Sequence, residues 1–177
     1  MGIFSNSEKL LNLKDLLHYE LRDLYSGETQ LIEALPKMAE AASDPQLKQA
    51  FHDHLNETRA QRERLDEIGT MLGIDMKGEK CEAMAGLIKE GEEIIKSKST
   101  PEIRDAGLIG AAQRVEHYEI AGYGTANNFA RQLGLTEVAE IISFIEKEEK
   151  MADDKLNRLA KESINVKAKT AGTSHKA

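Results

Sequence analysis

The sequence predicts an all-α protein: four long helices packed as a bundle, with one long crossover between the second and the third. Three observations predict it. Apolar residues recur at three-to-four spacing, the period of an amphipathic helix, through most of the 177 residues. Leu, Ala, Glu and Lys dominate and only three prolines interrupt them, a composition of good helix formers. Two tight helical hairpins are joined by residues 73 to 101, a link too long for a simple up-down-up-down bundle.

The first helix is expected over Ser7 to Ala42, where Leu13, Leu17, Leu24, Leu31, Leu35 and Met38 keep the helical period. Pro36 falls late in it and predicts a kink. Ser43-Asp44-Pro45 reads as a turn with a helix start built in, because proline suits the first helical position. The second helix then continues to Leu72 and stops at Gly73. Within the link, Cys81 to Ile95 reads as a short fifth helix, and Ser97 to Pro101 as a break followed by a new start. The third long helix is expected over Pro101 to Leu133. Gly134-Leu135-Thr136 makes the next turn, with Thr136 as N-cap, and the fourth helix covers Glu137 to Glu162. The bundle thus spans 1–162, and the basic, polar stretch 163–177 is expected to be a disordered tail. A long link returns the chain along the bundle so that the second and third long helices run parallel, the one-crossover topology of ferritin-like folds.

Bulk properties narrow the function. A net charge of -7 argues against nucleic acid or an anionic membrane as partner. No run of about 18 apolar residues is present, so no membrane span is expected. The first residues show no basic stretch leading into an apolar one, which predicts no signal peptide. The single cysteine, Cys81, has no intramolecular disulfide partner and reads as a small packing residue. A cytoplasmic location is the expectation.

Helical phase sets several charged residues inside the apolar stripes. On the fourth helix, Glu149 falls amid Ile142, Ile145, Ala152 and Leu156, with Glu148 and Asp153 at the edges. On the third, Glu116, Glu119 and Tyr123 share the inner face with Leu108, Ala112 and Val115. Glu28 lies among the leucines of the first helix. His54 and Gln61 lie in the stripe of the second, with Glu57 on its flank. Desolvating a carboxylate costs several kcal/mol, so inward acids with few inward cations need compensation. Metal ions supply it, and carboxylate oxygen with imidazole nitrogen suits iron, manganese or zinc.

Axial position sharpens this. Glu28 lies fifteen residues before Ser43 and Glu57 fourteen after it; Glu119 lies fifteen before Gly134 and Glu149 fifteen after it. At a rise of ~1.5 Å per residue, both hairpins hold acids roughly 22 Å from their turns.

At these residues the sequence resembles the YciE/YciF-type (DUF892) stress-protein family of the ferritin-like superfamily. The stretches that carry the resemblance are ELRDLYSGETQL (20–31), HLNETRAQRERL (54–65), CEAMAGLIKEGEE (81–93), QRVEHYEIAGYG (113–124) and EEKMADDKL (148–156). The resemblance implies a bundle related to rubrerythrins and manganese catalases, a homodimer, and a link to bacterial stress responses. It does not imply a known reaction. Carried over by position, it implies Glu28, His54, Glu57, Glu116, Glu119 and Glu149 as metal ligands. One departure stands out. Di-iron carboxylate bundles use Glu-x-x-His on two helices, whereas this chain has His54-x-x-Glu57 and Glu116-x-x-Glu119, and no Glu-x-x-His beside Glu149. The set is rich in acid and poor in imidazole.

A second stripe on the third long helix, Ala106, Gly110, Ala121 and Gly124 with Gln113 and His117 between, permits close approach of the crossover helix or of a second subunit. His117 is therefore expected to face outward or into an interface. Two function classes follow from these readings. In one, a dinuclear metal site, with iron first and manganese or zinc as alternatives, handles dioxygen or peroxide as an oxidase, peroxidase or catalase would, with Tyr123 or Tyr25 bonding a ligand or donating an electron. In the other, a non-enzymatic, metal-free stress or interaction protein keeps a polar core, its acids hydrogen-bonded to His54, Gln61 and Tyr123.

Overall fold

A computed structural model of the chain describes residues 9–78 and 80–171. Four long helices form: α1 (Leu13–Ala41), α2 (Pro45–Leu72), α4 (Pro101–Gln132) and α5 (Thr136–Leu159), with α3 (Glu82–Lys96) in the crossover. A π-helical turn (Ala160–Ile164) and α6 (Asn165–Ala171) follow.

The helix ends obey local chemistry. Asn12 caps α1 by accepting the Asp15 amide, so the helix starts at Leu13; of the expected earlier start, residues 9–12 are non-helical and residues 7 and 8 lie outside the described residues. Asp44 accepts the Gln46 and Leu47 amides and Pro45 takes the first helical position, as the turn reading expected. Gly73 ends α2 at φ 67°, a left-handed conformation that a side chain would strain. At the α4–α5 turn, Gly134 takes φ 73° and Leu135 holds the cap position. Thr136 is already helical, so its expected role as N-cap is corrected; no side chain caps this end.

The turns fix the topology. The Asp105 carboxylate, near the start of α4, accepts the backbone amides of Ser43 (2.8 Å) and Asp44 (2.7 Å) at the α1–α2 turn. The α4 helix therefore starts at the end where α2 starts, and the two run parallel, as a long crossover requires. The crossover helix climbs beside α1: the Cys81 amide donates to Ser26 Oγ at its start, and Lys37 pairs with Glu92 further along. It packs on α4 at Gly107, where a Cβ would lie 2.8 Å from Ile94, and at Ala111, which faces Gly91. The stripe expected to receive it is only partly used, since a side chain at Gly110 would meet nothing within 4 Å and Ala121 is exposed.

The expected tail begins too early. Residues 163–171 continue as helix, with Ile164 and Ala168 buried and α6 packed on α4. Lys167 Nζ donates to Asp44 Oδ2 (2.7 Å), tying this segment to the α1–α2 turn. Two well-placed apolar side chains outweigh the polar composition that suggested disorder. Residues 172–177 of that expectation lie outside the described residues.

The core is divided. One apolar cluster gathers around Leu31, Leu35, Leu47, Phe51, Leu108 and Leu156. The other gathers around Leu17, Leu21, Leu65, Ile68, Ile142 and Ile145. Between them every long helix contributes buried polar side chains: Glu28 from α1; His54, Thr58 and Gln61 from α2; Glu116 and Glu119 from α4; Glu149 from α5.

Candidate metal centre

The polar layer lies near mid-length because the two hairpin turns sit at opposite ends and each acid stands about half a helix from its turn. His54 is its hub. Its Nε2 lies 3.3 Å from Glu116 Oε1 and 4.0 Å from Glu149 Oε2, while Nδ1 lies 3.4 Å from Glu57 Oε2. His54, Glu116, Glu119 and Glu149 each bring one ligand atom into a group whose members all lie within 4.8 Å of one another. Glu28 is not in that group. It is equally buried and accepts a short hydrogen bond from the Tyr123 hydroxyl. Glu57 is also outside the group, and with 48% of its side chain exposed it stands at the flank against His54.

Electrostatics separates the inner acids from the flanking ones. Glu148 is neutralised by Arg64 (2.6 Å) and accepts a further bond from Gln61 (3.3 Å). Asp153 takes Gln113 (3.0 Å) and lies 3.5 Å from the largely exposed His117, which faces outward as expected. The inner acids share a single cation, His54, and Glu116 also hydrogen-bonds Glu149. Beyond that, no other side chain among the described residues donates to Glu119, Glu149 or Glu116 Oε2, and Glu28 Oε2 is buried without a donor. Buried polar groups of native proteins are nearly always satisfied, so this concentration of unsatisfied oxygens sets the layer apart from the rest of the core.

The titration of these groups follows. Burial pushes the Glu28 carboxyl up to about 8, against the opposing hydrogen bond from Tyr123 and charge of His54. Burial likewise raises Glu149 to about 7 and holds Glu116 and Glu119 well above the carboxylate range, with neighbouring acids adding to it. His54 is pulled down by burial, but the Glu116, Glu57, Glu149 and Glu28 carboxylates outweigh it and lift the imidazole to about 10. Without an ion, one imidazolium and shared protons must therefore stand in for cations.

The donor set fits a metal. Several buried carboxylate oxygens around one imidazole match the hard-oxygen and nitrogen preference of iron, manganese and zinc. In α2, His54 and Glu57 are one helical turn apart, so Glu57 meets the imidazole edge that faces away from the acids. Tyr25 turns instead to Asp66.

Sequence reasoning passed over two features. Cys81 does more than fill space: its sulfur accepts the Met84 amide at the start of α3 and lies 3.1 Å from Asp23 Oδ2 and 3.2 Å from the Tyr118 hydroxyl, which also bonds Asp23. No local motif announces that contact, since Asp23 lies in α1, Tyr118 in α4 and Cys81 at the cap position before α3. The second is a cleft of about 540 Å³ between α2 and α5 whose floor is His54 and Glu116. Its signal in the sequence is faint, since residues 151–161 mix acids, cations and apolar residues with no motif.

Fold and site together define an all-helical bundle whose core is split by a layer of buried carboxylates around one histidine. The chain belongs to the family described as Domain of unknown function (DUF892), whose model matches residues 12–169. It is 47% identical over 157 residues to Protein YciF of Escherichia coli (strain K12), covering 88% of this chain and 95% of that one. The crystal structure of the E. coli stress protein YciF superposes with a TM-score of 0.85 at 46% identity, over 88% of this chain and 99% of that chain. YcfI from Rhodopseudomonas palustris matches with a TM-score of 0.82 at 41% identity, over 88% and 98%. A Xanthomonas campestris protein at 20% identity shares the fold, with a TM-score of 0.72 over 91% and 99%.

Proposed function

We propose that this chain is a ferritin-like stress-response protein that binds a dinuclear metal centre, iron first, and handles dioxygen or peroxide there. The observation that carries this reading is the group of His54, Glu116, Glu119 and Glu149, within 4.8 Å of one another and rich in orphaned oxygens. These four side chains would hold the metals, with Glu28 as a further ligand across the layer. Glu57 orients His54 through Nδ1, a position that fixes which nitrogen faces the metals. When bound, the ions supply charge compensation and electron-transfer capacity beside an oxygen or peroxide ligand. The chain's own contribution is a buried cradle between two apolar clusters, with Tyr123 holding the Glu28 carboxyl by a hydrogen bond.

The metal-free alternative requires donors for the acids. Tyr123 serves Glu28 and Glu116 can donate to Glu149, but Gln61 is turned to Glu148 and Glu119 receives no donor. That imbalance favours the metal reading. Metal analysis of protein purified without chelator should find bound metal, and Glu149→Ala should lower its content. Unchanged content in that variant would remove Glu149 from the set, and absence of metal from reconstituted wild-type protein would overturn the reading.

A further inference from the structure

The cleft above His54 and Glu116 is larger than dioxygen or peroxide requires. Its volume of about 540 Å³ falls in the range of organic-ligand pockets, roughly 300–1,000 Å³, whereas a water-sized molecule occupies about 30 Å³. Its lining joins buried and exposed side chains. The imidazole of His54, the carboxyl of Glu116 and the ring of Phe51 are buried, Ala152 is half-buried, and Met151, Arg158 and Lys161 are exposed. Met151 is a large apolar side chain left 61% exposed, beside an opening rather than packed into a core.

The cations are the informative part. Lys155, also in the lining, is spent on Asp53 at 2.7 Å. Arg158 and Lys161 are exposed and make no ion pair or side-chain hydrogen bond among the described residues. They lie three positions apart where α5 passes into the π-helical turn, and both line the cleft. The lining also holds three acids, Glu57, Glu116 and Asp154; the first two lie against His54 at 3.4 and 3.3 Å, which leaves Asp154 as the acid without such a partner beside Arg158 and Lys161.

We infer that the cleft binds a small amphipathic organic anion, its carboxylate held by Arg158 and Lys161 and its apolar body lying along Phe51, Ala152 and Met151. Its far end would then point at the metal centre, which names the class of organic molecule that the proposed centre meets. The binding rests on the cleft alone; only the consequence at the floor rests on the metal reading.

The test uses full-length protein in chelator and octanoate as the probe, followed by calorimetry and by NMR of methionine methyl groups. Saturable octanoate binding is expected, with the Met151 methyl resonance moving most. Octan-1-ol should bind at least tenfold more weakly and octylammonium not measurably. Arg158→Ala with Lys161→Ala should lower octanoate affinity at least tenfold while leaving metal content unchanged, and Ala152→Trp should abolish binding by filling the cleft. Equal binding of octanoate and octylammonium, an unmoved Met151 resonance, or full affinity in the double variant would overturn the assignment. Loss of metal in Glu149→Ala with octanoate binding intact separates this inference from the metal reading.

Discussion

Glu149→Gln should act with opposite signs on the metal-free and metal-loaded protein. Glu149 is fully buried, and burial raises its carboxyl to about 7 against the opposing His54 charge and a hydrogen bond from Glu116. An unfolded-state carboxyl titrates near 4.5. Between those values the folded state holds a proton that the unfolded state has lost, so this group's contribution to stability falls as pH rises through the window and is flat above it. The difference corresponds to about 3 kcal/mol at pH 8.5. Glutamine keeps the shape and is neutral at every pH, and its amide can donate to the neighbouring Glu116 carboxyl. In chelator, the variant should match wild type near pH 4, below the window, and exceed it by up to about 3 kcal/mol at pH 8.5, a rise in Tm of roughly 6–12 °C for a chain of this size. With Fe(II) or Mn(II) present the order should reverse, because ligands must be deprotonated and an amide oxygen is a poor substitute. Urea and thermal unfolding at the two pH values, with and without metal, read all four cases. A variant less stable than wild type at pH 8.5 in chelator would refute the uncompensated-acid argument.

Three other outcomes follow from single contacts. Glu57→Gln should keep metal stoichiometry and lose roughly 10–100-fold in affinity, because Glu57 acts on His54 and lies outside the ligand group; a drop in stoichiometry by metal analysis would make it a ligand. Asp105→Ala should cost about 2–4 kcal/mol by urea denaturation, since it strips two backbone amides at the α1–α2 turn of their acceptor. Ile164→Ala should cost about 2–4 kcal/mol, as a 1%-exposed side chain docking the C-terminal helix; a loss within 0.5 kcal/mol would mean that this segment is not packed.

Much of this was legible in sequence because period and punctuation agree. Leu17, Leu24, Leu31 and Leu35 mark one face, Asp44-Pro45 starts a helix, and Gly73 and Gly134 end helices in conformations that favour glycine. Helical phase also places a side chain on an inner face, which is why Glu28, His54, Glu116, Glu119 and Glu149 were all found inward. Phase does not say what meets a side chain across the bundle. Gln61 points inward but serves Glu148, and Glu57 lies beside His54 yet half in water. The Cys81–Asp23–Tyr118 contact joins residues 58 and 95 positions apart, a relation no local pattern encodes. The C-terminal segment was misread because composition averages over side chains, while Ile164 and Ala168 are the two that matter for packing.

The divided core bears on why the acids are there at all. The two apolar clusters are each drawn from all four long helices, so the bundle has ample means to close without its polar layer. Glutamate and leucine are similar in size, and replacing buried charge by well-packed apolar residues is commonly neutral or stabilising by about 1–4 kcal/mol. A protein required only to fold would therefore gain by leucine at positions 116, 119 and 149. The layer instead keeps its unsatisfied oxygens on facing helices, between the two apolar clusters. Acids that weaken the empty bundle and lie within 4.8 Å of one imidazole make sense as a site whose stability arrives with its ligand. The cleft between α2 and α5 reaches that same imidazole, so the buried layer is open to approach at His54 and Glu116.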